Sequence, residues 1–81
     1  MVNKSLVAQM VSDLNWVIAV TKSVESKDQL SISLKCYFLW EKKYKSIIEE
    51  FPNSKFALRG KFWAIYKNKE SQFSVVGSLK S

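Results

Sequence analysis

The sequence predicts an α+β fold: a small two-layer domain in which a helix–strand–strand unit occurs twice, giving a four-stranded antiparallel sheet with two helices on one face. Three observations point there. Apolar residues recur at helical spacing in two separate segments. They alternate at period two in the segments between. The two halves of the chain also run parallel in residue type. Eighty-one residues leave room for one domain, residues 1–81.

Residues 3–14 read as the first helix, because Leu6, Val7, Met10, Val11 and Leu14 form one apolar stripe, with Asn3 as its N-cap. The period then changes. Trp16, Ile18 and Val20 alternate with Val17, Ala19 and Thr21, residue types that fit a pleated surface. The polar Glu25-Ser26-Lys27-Asp28 follows as a turn. A longer alternation comes next, with Leu30, Ile32, Leu34, Cys36 and Phe38 on one face and Ser31, Ser33, Lys35 and Tyr37 on the other.

Residues 41–51 return to helical period through Tyr44, Ile47, Ile48 and Phe51. Pro52-Asn53-Ser54 ends that helix, since proline disfavours helix in the residue before it. Residues 61–67 and 72–79 read as the last two strands, joined by a turn at 68–71. Trp16-Val17-Ile18-Ala19-Val20 and Trp63-Ala64-Ile65-Tyr66-Lys67 head the two parallel halves. The expected core is Leu6, Met10, Trp16, Ile18, Leu30, Ile32, Leu34, Ile48, Phe51, Ile65, Phe73 and Val75.

An all-α arrangement of helical hairpins is the alternative. Leu30, Leu34, Tyr37, Phe38, Tyr44, Ile48 and Phe51 also fit one long amphipathic helix. Tyr44, Ile47, Ile48, Phe51-Pro52-Asn53-Ser54 and Ala57 resemble part of a tetratricopeptide-type helix pair. The resemblance lacks the small-residue pattern of the preceding helix, and one such unit does not bury its own face.

Composition narrows the function. Cys36 is the only cysteine and there is no histidine, so an internal disulfide and a conventional structural zinc site are both excluded. The usual base for a serine or cysteine nucleophile is missing. Gly60 and Gly77 are isolated and form no phosphate-cradling loop. Glu49 and Glu50 are adjacent, so on a helix they diverge. The expectation is a non-enzymatic protein with no cofactor, no metal and no small-molecule substrate. No signal-peptide pattern and no membrane-length apolar run is present, so the expected setting is cytoplasmic, without membrane contact.

The net charge is +6. Residues 41–81 carry most of it, and all the aromatics except Trp16 lie within residues 37–73. Basic residues mixed with aromatics suit a surface for nucleic acid of low sequence specificity. On that reading Lys42, Lys43, Lys45, Arg59, Lys61, Lys67 and Lys69 meet phosphates, as does Lys55 beside them, and Trp63 or Tyr66 stacks on a base. A single arginine argues against base-edge readout.

The alternative is a protein-binding inhibitor, antitoxin, immunity factor or adaptor of the kind that phages and plasmids carry. It would act through an aromatic open sheet face, with Tyr37, Leu39, Trp40 and Phe62 as interface residues. The same surplus of apolar surface predicts a homodimer.

Overall fold

The computed structural model describes residues 4–52 and 56–80, with side chains described for 4–52 and 57–74. It is all-helical, and no strand occurs among the described residues. Helix α1 spans Lys4–Ser23, α2 Lys27–Lys43, α3 Lys45–Glu50 and α4 Phe56–Lys80. The predicted four-stranded sheet and its doubled unit are therefore absent, and the architecture is of the all-α class. Asn3, Lys55 and the Asn53-Ser54 part of the expected break lie outside the described residues, as does the side chain of Val75.

Helix α1 continues straight through the expected first strand. Met10, Leu14, Val17, Ile18 and Thr21 are its buried residues, at three- and four-residue spacing. Burial of this stripe outweighs the modest helix penalty of Val, Ile and Thr. Thr21 is fully buried, and its hydroxyl donates to the Val17 carbonyl at 2.8 Å, so no polar atom is left unpaired. Trp16, expected in the core, points away from this stripe and is 61% exposed.

Helix α2 replaces the strand with the clean alternation. Its buried residues are Leu30, Ser33, Tyr37 and Trp40, one residue in three or four rather than one in two. Ser33 is fully buried and donates to the Leu30 carbonyl at 2.8 Å. A period-two count scores it as outward-facing; in a helix its hydroxyl is satisfied by its own backbone. Ile32, expected inside, is 57% exposed. Ser26 caps the start of α2, accepting from the Gln29 N–H at 3.2 Å, while the Gln29 side chain accepts from the Glu25 N–H at 2.7 Å. This is close to a capping box, with the return bond displaced by one residue.

At Tyr44 the helix bends. Its backbone (φ −106°, ψ 21°) leaves helical geometry, and α3 restarts from it. The long single helix of the all-α alternative is thus two pieces. Ile47 and Ile48 are buried, whereas Phe51, expected inside, is exposed, as is Leu6.

Helix α4 runs antiparallel to α2. Arg59 pairs with Glu41 at 2.9 Å, Phe62 stacks on Tyr37, and Tyr66 and Phe73 border the same cleft as Leu30. The Lys69 ammonium donates to the Val24 carbonyl at 3.1 Å, just beyond the end of α1. Each of the three long helices contacts the other two. The expected turn at 68–71 is helix interior, and of the expected core members there, Ile65 and Phe73 are half-buried.

The core is aromatic. Tyr37 and Phe62 are fully buried and stacked nearly parallel, with ring centroids 4.2 Å apart. Trp40 stacks beside Tyr37 at 5.6 Å, and Trp63 meets it edge-on at 5.5 Å. Trp40 Nε1 donates to the Met10 carbonyl at 2.8 Å, tying α2 to α1. Such aromatic pairs add roughly 0.5–1.5 kcal/mol beyond their buried area.

Gly60 lies exposed within α4, and a Cβ there meets nothing within 4 Å. Gly60→Ala is expected to stabilise the protein by about 0.5–1 kcal/mol, because alanine has less backbone freedom to lose. Urea denaturation checks this; unchanged or reduced stability would contradict an open helical site.

Candidate functional site

The feature that the fold leaves over is an apolar seam between α1 and α2, along the edge of the bundle where Trp16 and Leu39 emerge. Helical spacing sets it. On α1, Trp16, Val20 and Ser23 share a face turned from the main core stripe; on α2, Ile32, Cys36 and Leu39 do the same. The two helices join through the short connection at residues 24–26, so the faces lie side by side.

The wider end of the seam is an open cleft of about 350 Å³, lined by Asp13, Trp16, Val17, Cys36, Leu39 and Tyr44 among others, and predominantly apolar. Leu39 is 67% exposed on its rim. The narrower end is about 220 Å³, lined by Val20, Ser23, Val24, Gln29 and Ile32. Surface leucines occur singly on any protein, but a tryptophan and a leucine flanking one cleft make a continuous patch.

The charged groups at the wide end are fixed by the core behind it. The Tyr44 hydroxyl donates to the Asp13 carboxylate, and Lys43 Nζ stands 3.9 Å from the same carboxylate and 5.2 Å from the Tyr44 ring centroid. Burial raises the Tyr44 hydroxyl above the usual 10.0, and its bond to Asp13 raises it further. Burial likewise raises Tyr37, followed by the charge of the nearby Glu41. Tyr66 rises through burial and then Glu70.

An unfolded chain releases these tyrosine protons near pH 10, while the folded chain holds them to higher pH. The stability they contribute is fully present below pH 10 and is lost as pH climbs through the raised folded values. Denaturation midpoints are expected to fall steeply above about pH 10, and more shallowly in a Tyr37→Phe/Tyr44→Phe double variant. Equal slopes in both proteins would contradict this.

The expected phosphate contacts scatter. Lys42, Lys43 and Lys45 are exposed around the α2–α3 bend. Arg59 is engaged by Glu41, Lys67 faces Glu70 at 3.9 Å, and Lys69 is drawn to the Val24 carbonyl. Lys61 and Lys67 lie six residues apart on α4, about 120° around the helix, so they do not share a face. Trp63 and Tyr66 are half-buried and pack edge-on against each other at 5.7 Å.

Of the expected interface residues, Leu39 is on the surface. Tyr37, Trp40 and Phe62 are core, because with no sheet there is no second sheet face for them to occupy. Sequence reasoning missed Trp16 and Ile32 as surface residues. Carrying the α1 stripe on through Val17, Ile18 and Thr21 would have placed Trp16 outside.

Among the described residues no group of three or more metal-ligating side chains occurs, and no helix is long and apolar enough to cross a membrane. No protein-family model, no curated protein and no solved structure matches the chain.

Proposed function

We propose that this protein is a non-enzymatic binding module that acts on another protein through the α1–α2 seam, as an inhibitor, immunity factor or adaptor does. One observation carries the reading: Trp16 and Leu39 stand largely exposed on the rim of one apolar cleft, while the bundle already has a filled aromatic core behind them. Exposing them costs solubility and contributes little to folding, whereas a partner that covers them gains their burial. Large apolar anchors in a pocket with polar surroundings are the usual source of protein–protein affinity. The proposed setting is the cytoplasm, where a single unpaired thiol such as Cys36 is ordinary.

The experiment is a pull-down from nuclease-treated lysate of the source cells with the wild-type chain and with Leu39→Gln. Glutamine is a good helix former, so the melting temperature of the variant should stay within a few degrees of wild type. The expected outcome is a nuclease-resistant partner captured by wild type and weakened about tenfold or more by Leu39→Gln. Equal capture by both proteins would contradict the reading.

A second reading, association with nucleic acid, draws on the exposed lysines Lys42, Lys43 and Lys45 together with the net charge. It is weakened by the packing of Trp63 and Tyr66, the two rings expected to stack on bases, which are half-buried against each other. It requires oligonucleotide affinity that falls steeply with salt.

A further inference from the structure

Resting on the protein-docking reading above, we infer that the occupant of the seam is an acidic amphipathic helix of a different protein. Two features of the seam repeat at the same interval. Ile32 at the narrow end and Leu39 at the wide end are seven residues apart on α2, a rise of about 10.5 Å. A helix lying along the seam presents residues i and i+7 at that spacing, with i+3 or i+4 between them over Cys36. The wide end, at about 350 Å³, takes a large side chain, and the narrow end, at about 220 Å³, takes a smaller one.

The second repeat is charge. Lys35 and Lys42 each follow an anchor by three residues, so both stand on one edge of the exposed stripe of α2. Among the described residues neither has an acidic group within 4 Å. The acids close by are Asp13, which is held by Tyr44 and Lys43, and Asp28, in the first turn of α2. The cleft that Lys42 borders adds Glu41, which is held by Arg59 and Tyr37, and Glu49; Lys42, Lys45 and Arg59 outnumber these two acids there. The edge along the anchors is therefore cationic. It matches a helix whose apolar stripe is bordered by Asp or Glu at a seven-residue interval.

A second copy docked with its α2 antiparallel fits poorly, since that two-fold axis would set Lys35 and Lys42 against the same lysines.

The test is selection from a displayed library of helical peptides of about 16 residues, long enough to cover the seam, with charges left free to vary. The full chain is the bait. The expected result is enrichment of apolar residues at i, i+4 and i+7, with Asp or Glu on one edge. A selected peptide should lose about tenfold or more on Leu39→Gln and about three- to tenfold, at low salt, on Lys35→Gln/Lys42→Gln. Peptides that need Leu39 but show no acidic bias and ignore the lysines would overturn the acidic partner while leaving the docking surface standing. Peptides indifferent to Leu39→Gln, or no enrichment at all, would overturn the docking reading itself. Sedimentation of the chain as a dimer that Leu39→Gln dissociates would make a second copy the occupant and overturn the inference.

Discussion

Phe62→Ala is expected to cost about 3–5 kcal/mol and to leave a large fraction of the protein unfolded at room temperature. Phe62 is fully buried and stacks on Tyr37, with Trp63 and Tyr66 packed around the pair. Removing its ring empties the centre of the bundle and strips Tyr37 of its stacking partner. The whole stability expected of a chain this length is about 4–12 kcal/mol, so the loss is a large part of it. Trp16→Ala is the control. Trp16 is larger than Phe62 yet mostly exposed, and its removal should cost under about 1 kcal/mol. A sheet with Trp16 inside and Phe62 on the open face reverses this order. Denaturant titration of the two variants reads it directly.

Asn68→Pro is expected to cost about 3 kcal/mol or more. Asn68 is exposed and makes no side-chain contact that the bundle needs, so the whole effect is backbone. It lies inside α4, where proline removes a helical hydrogen bond and its ring meets the preceding turn. At 68 in a hairpin turn, the same substitution would be nearly neutral. Loss of helical circular dichroism together with a lowered melting temperature is the expected signature; a wild-type melting curve would contradict a continuous α4.

These two variants bear on the places where sequence and structure part. The first half of α1 was legible, though Leu6 of its stripe is exposed, and so was a break near Glu25 and Ser26, though Lys27 and Asp28, expected in it, belong to α2. What hid the rest was polarity in the core. Thr21 and Ser33 are buried and satisfied by backbone carbonyls one turn back, so each breaks an apolar helical count without disturbing the helix. Ile32 and Phe38 had the opposite effect, placing apolar residues outside. In α2 the two together turn a helical stripe into a false alternation. One signal was present and decisive: Ser26 followed at three residues by Gln29 is a helix-start signature, and it marks the start of α2 rather than the middle of a hairpin.

The site was legible in part for the same reason. Leu39 was expected on an open face, and it is exposed. Its neighbours across the seam were not, because Trp16 and Ile32 had been assigned to a sheet interior. Tyr37, Trp40 and Phe62 had been assigned outward by the same sheet. The cluster of lysines in residues 41–81 is real in sequence. On the bundle it divides between the α2–α3 bend and separate faces of α4, and several members are engaged locally.

The most direct measurement on the central claim is hydrogen–deuterium exchange of the chain alone and in the complex recovered with its protein partner. A partner seated in the seam should slow exchange in residues 16–24 and 29–43, the α1 and α2 segments that carry Trp16, Val20, Ile32 and Leu39, and leave residues 59–70 of α4 unchanged. Protection confined to α4, with α1 and α2 exchanging as in the free chain, would contradict it.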